Sequence, residues 1–363
     1  MLFKILSNIN LSKYSPTVVS LTTCGTIGPR ISQLGIPVVS LGINRRFPNP
    51  LLFFRLVRIL RRNKPVIVHC WMYHANLLGG LAARMAGVHL VAWGIRHSNF
   101  SGYRIKFSTS IVVRLGAFLS RWVPSLILFN SHRALEIHRK IGYYCSKSLV
   151  IPNGFDLKKF VPDSSLGASV KMELNLEIQT PLIGQIGRFD LQKNHLGFIE
   201  AARIVHQTRP DIHFLLAGTD VTQSNGLLRR AIEGVGLRQN FHLLGCRDDI
   251  PRLMAALDLL VSSSFTEAFS NVMGEAMACG VPCVMTDLGD AAQIIGKTGR
   301  VVKPGDMKML AQSILELMQM PKPARRVLGQ KARERIRKRF EIGKVANLHE
   351  EFYEQLLSPK TCI

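Results

Sequence analysis

The stretch 257–287, LDLLVSSSFTEAFSNVMGEAMACGVPCVMTD, holds two apolar runs, LDLLVSSS (257–264) and VPCVMTD (281–287), on either side of a segment of helical character. Each run is short and ends in small polar residues, which describes a strand buried on both faces of a parallel sheet. A helix between two such strands is the crossover that parallel pairing requires. The alternation extends both ways. PLIGQIG (181–187), HFLLAG (213–218), FHLLG (241–245) and GRVVKPG (299–305) belong to the same series. PTVVSL (16–21), IPVVSLG (36–42), PVIVHCW (65–71), LVAWGI (90–95), SLILFN (125–130) and SLVIPNG (148–154) form an earlier one. The polar, weakly patterned stretch near 155–180 separates them. The expectation is an α/β protein of two doubly wound domains, 1–155 and 156–344, with ligands at the carboxyl ends of the strands.

Composition narrows the class. With 47% hydrophobic and 20% charged residues in 363, the chain can pack two cores, which excludes disordered and collagen-like classes. Seven scattered cysteines without a C-x-x-C pair fit free thiols better than a disulfide framework or a zinc site. The net charge is +23, and it is unevenly placed. Residues 1–151 carry 20 Lys and Arg against a single carboxylate, Glu136, whereas the remaining 212 carry 27 basic and 23 acidic residues. Such a half calls for a standing polyanionic partner, either a membrane surface or nucleic acid.

No secretory signal is expected from MLFKILSNINLSKYS, and the longest uncharged stretch, from Pro65, is interrupted by His69, His74, Asn76 and a Gly pair, so no spanning helix is expected. Two segments could lie on a membrane instead. LLFFRLVRILRRNK (51–64) sets Arg55, Arg58 and Arg62 beside an apolar face; 105–129 interleaves Lys106, Arg114 and Arg121 with Phe107, Phe118, Leu119 and Trp122. Either helix sits at the headgroups with its arginines on anionic lipid, or it packs on a sheet and exposes them to water.

Chemistry concentrates in the second half. In GQIGRFDLQKNH (184–195), Gly187 allows a tight turn off a strand, and Arg188 and Lys193 set two cations at its exit, as a bound pyrophosphate needs. Glu267 and Glu275 are separated by seven residues, the first expected at the end of a strand and the second about two turns into the next helix. The helix N-terminus between them offers amides to phosphate oxygens, and the carboxylates offer acceptors to sugar hydroxyls.

VIPNGFD, GRFDLQKNH, EAFSNVMGE and EAMACGVPCVMTD, in this order, resemble the retaining, nucleotide-sugar-dependent glycosyltransferases of the group 1 (family 4) type. The resemblance implies a GT-B fold, two Rossmann-like domains facing across a cleft, the first completed by a C-terminal helix at about 345–363 that includes HEEFYEQLL. It assigns Arg188 and Lys193 to the donor diphosphate, Glu275 to the ribose and Glu267 to the donor sugar. Backbone amides of Phe269, Ser270 and Asn271 would hold sugar hydroxyls, with Val272 near the phosphate and the base against GCRDDI (245–250). The family's histidine at the exit of the strand LVAWGI matches His97, which joins Glu267 as a catalytic candidate; Arg96, His74 and Asn76 are acceptor-side candidates. No cofactor and no metal are implied.

Relatives begin with a strand and a Gly-Gly loop, whereas MLFKILSNIN resembles the helix after that loop, so the first strand and Gly-rich loop are expected to be missing. Ser270 stands where relatives usually carry Pro, and Lys297 where an Asp is common. The function expected is transfer of a sugar, with retention, from a nucleotide-diphosphate donor (a UDP-sugar) to a glycan or polyprenyl-diphosphate-linked acceptor. The place expected is the cytoplasmic face of the inner membrane, in cell-surface polysaccharide or lipopolysaccharide synthesis, with an anionic membrane surface and no nucleic acid as partner. The alternatives are a truncated, weakly active or inactive remnant and a basic nucleic-acid-associated protein.

Overall fold

The computed structural model describes residues 1–44, 49–97 and 107–358; Ser98, Lys106 and the last residues of the expected C-terminal helix lie outside them. Each of the twelve apolar runs contains a strand: β1 (Val18–Ser20), β2 (Val38–Ser40), β3 (Ile67–Trp71), β4 (Leu90–Ile95), β5 (Leu126–Phe129), β6 (Ser148–Val150), β7 (Leu182–Ile186), β8 (His213–Ala217), β9 (Phe241–Leu243), β10 (Leu259–Ser262), β11 (Cys283–Thr286) and β12 (Arg300–Val302). All pairings among them are parallel. The chain forms two compact units, Met1–Gly154 with Ile342–Ile363, and Phe155–Glu341. Among the described residues no helix is long and apolar enough to cross a membrane.

In the first unit β3-β4-β5-β6 form a sheet in that order, while β1 and β2 pair only with each other. The first series is therefore two sheets rather than one. The β1–β2 pair is three residues long and half-buried throughout; Val18 and Val38 pack on a small cluster (Leu6, Ile31, Ile36), while Val19 packs on the main core of the unit. Alternation along β5 shows why its run is apolar throughout. Ile127 and Phe129 pack under the helices Leu51–Asn63, Tyr73–Met85 and Phe107–Leu119, while Leu126 and Leu128 pack under the helix Ile342–Leu357.

The Ile342–Leu357 helix also brings His349, Phe352 and Tyr353 against β3. His69 Nδ1 lies 3.0 Å from the Tyr353 hydroxyl, and His349 stacks on Trp71 with centroids 6.2 Å apart. Desolvation holds both rings neutral, the buried His349 and the half-buried His69: His69 is driven well below its ordinary pKa and His349 down to about 3, with the Arg96 charge adding to both.

The second unit has strand order β12-β11-β10-β7-β8-β9, so the direction of winding reverses between β7 and β10. One face carries the helices His195–Thr208 and Met307–Gln319; the other carries Ser164–Glu173, Ile250–Ala256, Asn271–Ala278 and Lys322–Arg339. The stretch near 155–180 is less irregular than its sequence suggests. Asp163 caps a helix there by accepting from the amides of Ser165 and Leu166, and that helix packs on Ile250–Ala256. The basic helix Lys322–Arg339 is anchored in the same unit: Arg325, Ala332 and Ile336 are buried and Arg333 donates to the carbonyls of Phe160, Leu157 and Ala278.

Gly274, in the Asn271–Ala278 helix, lets that helix approach the core closely. A Cβ there would lie 2.0 Å from the Phe155 ring, which stacks on Phe269 with centroids 6.1 Å apart. Gly274→Ala should destabilise the protein by about 2–4 kcal/mol in urea denaturation, because the ring is backed by fully buried neighbours and has nowhere to go. A wild-type midpoint would contradict that packing. Acid should act through the histidines. The unfolded chain takes up a proton on His349 near 6.5, but the folded one only near 3, so stability is present above that interval and falls as pH drops through it. Thermal melts at neutral pH and at about pH 4.5 should show a smaller acid-induced drop for His349→Phe than for the wild type; equal drops would dismiss this ring as the acid-sensitive group.

Candidate functional site

In an open parallel sheet, ligands collect outside the strand carboxyl ends where the winding reverses. In the second unit that point lies between β7 and β10, and it carries the loops 187–194 and 263–270. Gln185, the buried penultimate residue of β7, joins them: its Nε2 donates to the Lys193 carbonyl at 3.0 Å and its Oε1 accepts from the Ser263 hydroxyl at 3.0 Å. Ser263 Oγ lies 2.7 Å from the Asn194 carbonyl, Asn194 Nδ2 donates to the Ser263 carbonyl at 3.1 Å, and the Phe265 amide donates to Gln192 O at 2.8 Å. Gln185 and Ser263 are buried, so a missing partner for either would cost about 1–3 kcal/mol.

The side chains on this frame pair across it. Lys193 Nζ donates to Glu267 Oε1, with the two side chains 25% and 17% exposed. The cation expected on a diphosphate and the carboxylate expected on a sugar are thus joined to each other. Arg188 is more open, 62% exposed, and pairs with Asp190 at 3.1 Å. Asp190 sits below its ordinary pKa chiefly because the Gln192 amide donates to it, with Arg188 contributing. His195 is buried under the same loop against Phe189, and burial lowers it to about 4.

Gly187 is not where the backbone demands glycine. Its φ is not in the left-handed region, its amide donates to Ala217 O at 2.8 Å, and an added Cβ would meet the Lys193 stem at 3.4 Å. The demand falls on Gly218, at φ +150°, where a Cβ would lie 2.1 Å from the Gly187 carbonyl. Only the terminal Gly of HFLLAG hints at this.

Glu267 lies in the loop beyond β10 rather than on the strand, and Glu275 is one turn, not two, into the Asn271–Ala278 helix, because the loop takes up the residues between. Ser270 starts that helix. Its hydroxyl accepts from the Met273 amide at 3.5 Å, a cap that Pro could not supply. Phe269 and Ser270 are buried, Val272 and Glu275 are half-buried, and Asn271 is exposed at the first helical position, where amides lack intrahelical acceptors. In GCRDDI, Arg247 is held by Asp249 and Glu173, each at 2.7 Å, and Arg252 joins the same two carboxylates. This cluster pins the helices that carry Glu173 and Arg252 and drives Asp249 far below its ordinary pKa, through Arg247 first.

In the first unit the candidates gather at the exits of β3 and β4. Arg96 lies over the Trp71 ring at 4.7 Å, donates to Asn153 Oδ1, and is lowered by burial to about 10. His97 stacks on Tyr73 with centroids 6.5 Å apart. Behind them is a residue that sequence reasoning missed, His138. Its Nδ1 faces the Ala134 carbonyl at 2.7 Å and so carries the hydrogen, leaving Nε2 to accept from the Tyr73 hydroxyl at 2.8 Å. Burial lowers His138 to about 4. Met72, at φ +74°, makes the strained turn out of β3, and its amide donates to Gly94 O at 2.9 Å. His74 is exposed beside it. Asn76 is not: it is buried and donates to the same Gly94 carbonyl at 3.2 Å, so it ties a helix to β4 instead of facing an acceptor. Among the described residues no three His, Cys, Asp or Glu side chains converge as a metal site would require.

Residues 180–320 match the profile described as glycosyl transferases group 1, and residues 12–159 that of glycosyltransferase family 4. Over 235 residues the chain is 30% identical to the Escherichia coli UDP-Gal:alpha-D-GlcNAc-diphosphoundecaprenol alpha-1,3-galactosyltransferase, covering 64% of this chain and 60% of that protein. Over 305 residues it is 26% identical to the Campylobacter jejuni N,N'-diacetylbacillosaminyl-diphospho-undecaprenol alpha-1,3-N-acetylgalactosaminyltransferase, covering 80% and 78%. The chain spans between about half and two thirds of the length of the first curated relatives it matches (60%, 49% and 62%). Anabaena HepE in complex with UDP superposes with a TM-score of 0.83 at 22% identity, covering 97% of this chain and 96% of that one. With both units matched in turn, the chain belongs to the group 1 and family 4 glycosyltransferases and has the GT-B fold.

Proposed function

We propose that the protein transfers a sugar from a nucleoside-diphosphate donor, a UDP-sugar, to a lipid-diphosphate-linked glycan acceptor, with retention, in the assembly of a cell-surface polysaccharide. The observation that carries this reading is the Lys193–Glu267 pair held at the reversal point of the second sheet by the Gln185–Ser263 bonds. A diphosphate arriving there gives Lys193 a second anion, and Glu267, its charge partly released, accepts from a sugar hydroxyl. Arg188, exposed and paired with Asp190, swings onto the same phosphates. Amides at the start of the Asn271–Ala278 helix add their dipole, and Glu275 accepts from the ribose hydroxyls.

Transfer breaks the bond between the anomeric carbon and the diphosphate oxygen, and negative charge grows on that oxygen. Lys193, Arg188 and the helix amides offset it most where it is greatest, at the transition state. The acceptor hydroxyl forms the new bond from the face the leaving group vacates, and its proton passes to the departing diphosphate. Cations and amides do the work of charge stabilisation, so this reading requires no metal. His97 and Arg96 are the acceptor-side groups in the first unit, the ring steadied by Tyr73 and the guanidinium by Trp71 and Asn153.

The relatives' printed names support the donor and acceptor classes: one names UDP-Gal and two name diphosphoundecaprenol-linked sugars. An acceptor carried on such a lipid brings the enzyme to a membrane face.

Lys193→Ala and Glu275→Ala should each lower turnover about 100-fold or more with the melting temperature nearly unchanged. Lys193→Ala should also weaken UDP binding. If both variants transfer sugar and bind UDP like the wild type, the site is elsewhere. The anomeric configuration of the product, read by NMR coupling, tests retention separately.

A further inference from the structure

The first unit leaves a helix face uncovered. On Phe107–Leu119 and the turn that follows, Phe107, Ile111, Leu115, Phe118 and Trp122 are all exposed, the three aromatic rings at 81%, 66% and 59%. Their spacing places them within about a quarter of the helix circumference. The opposite side of the helix buries Val113, Gly116 and Ala117 in the core, so the stripe is surplus to folding. Phe118 and Trp122 meet edge to face at 5.2 Å, which holds the Trp at the end of the ridge. Arg114 and Arg121 flank it, both exposed.

The neighbouring surface continues the pattern. Helices Leu51–Asn63 and Phe107–Leu119 both pack against Tyr73–Met85 on the same side of the sheet. The first exposes Leu51 and Phe54 with Arg55, Arg58, Arg61 and Arg62, and the middle one exposes Met85. Glu136 is the one carboxylate in residues 1–151, and it is paired with Arg133.

We propose that the stripe Phe107–Ile111–Leu115–Phe118–Trp122, with Arg114, Arg121 and the arginines of 55–62, docks the protein on an anionic lipid bilayer. Charge decides the occupant. A second copy meeting the stripe face to face would bring arginines against arginines with no carboxylate to answer them. Nucleic acid would answer the charge but leave an aliphatic and aromatic ridge against a polar backbone. A bilayer answers both: the ridge enters the boundary between headgroups and acyl chains while the arginines rest on lipid phosphates. Its purpose rests on the proposed lipid-linked acceptor, but the docking is measured without donor or acceptor.

The full-length protein should sediment with vesicles of phosphatidylglycerol and phosphatidylcholine and not with phosphatidylcholine alone. Its fluorescence should shift to the blue as Trp122 leaves water, a shift that Trp122→Ser removes if neither the fully buried Trp93 nor the half-buried Trp71 contributes. Phe118→Ser with Trp122→Ser, and separately Arg114→Glu with Arg121→Glu, should each weaken partitioning about tenfold or more while the circular-dichroism melt is unchanged. The proposal is overturned by no binding to anionic vesicles, by wild-type binding of both double variants, or by stronger retention on single-stranded DNA than on vesicles at matched salt. A dimer in sedimentation velocity that Trp122→Ser dissolves would assign the stripe to a second copy instead. Turnover on a detergent-solubilised acceptor, read in parallel, separates the outcomes. Vesicle binding without turnover keeps the docking and sinks the transferase reading, and turnover without vesicle binding does the reverse.

Discussion

Two uncharged side chains, Gln185 and Ser263, hold the second unit's functional end together. Each lies at the exit of a different strand on either side of the winding reversal, and their hydrogen bonds close on the backbone of Lys193 and Asn194. A loop bearing two cations and a loop bearing a carboxylate would otherwise be free to drift apart on entropy alone. Because the bonds are buried, they are exchanged for nothing when a ligand arrives, so the loops stay in place while the charged side chains above them change partners.

That division of labour recurs. In the first unit the half-buried Arg96 and His97 are backed by aromatic and imidazole rings: Trp71 and His349 behind one, Tyr73 and His138 behind the other. Burial keeps His138 and His349 neutral, so they support the cationic Arg96 and its neighbour without repelling them. The two units also divide the charge. The second balances its ions in local clusters such as Arg247 and Arg252 with Glu173 and Asp249, whereas the first carries nearly unopposed arginine. The first arrangement locks helices together; the second leaves a field for a partner.

The strands were legible because a buried parallel strand writes itself as a short apolar run with a small residue at its exit, and every such run held one. The break between β1–β2 and β3–β6 was not, since periodicity reports burial and is silent on which edge pairs with which. In the second unit the sequence displayed Lys193 and Glu267 as separate charges. Their pairing depends on β7 lying beside β10, a contact across 74 residues that no local pattern encodes. Gln185 and Ser263 left no signal at all, being ordinary residues inside an apolar run and a serine triplet. Gly218 was overshadowed by Gly187, because the close approach is made by a strand two elements away. Asn76 looked like a polar group at a strand exit, and only its burial under β4 shows that it serves the backbone.

The most direct measurement is a titration of UDP into the wild type and Gln185→Leu, followed by calorimetry, with no acceptor and no sugar. Gln185 is buried with its amide engaged by Lys193 and Ser263, so its loss acts on affinity by letting the Lys193 and Glu267 loops shift. If the buried bonds preorganise the donor site, the variant stays folded and binds UDP about tenfold or more weakly. Wild-type affinity in a folded Gln185→Leu protein would contradict the account.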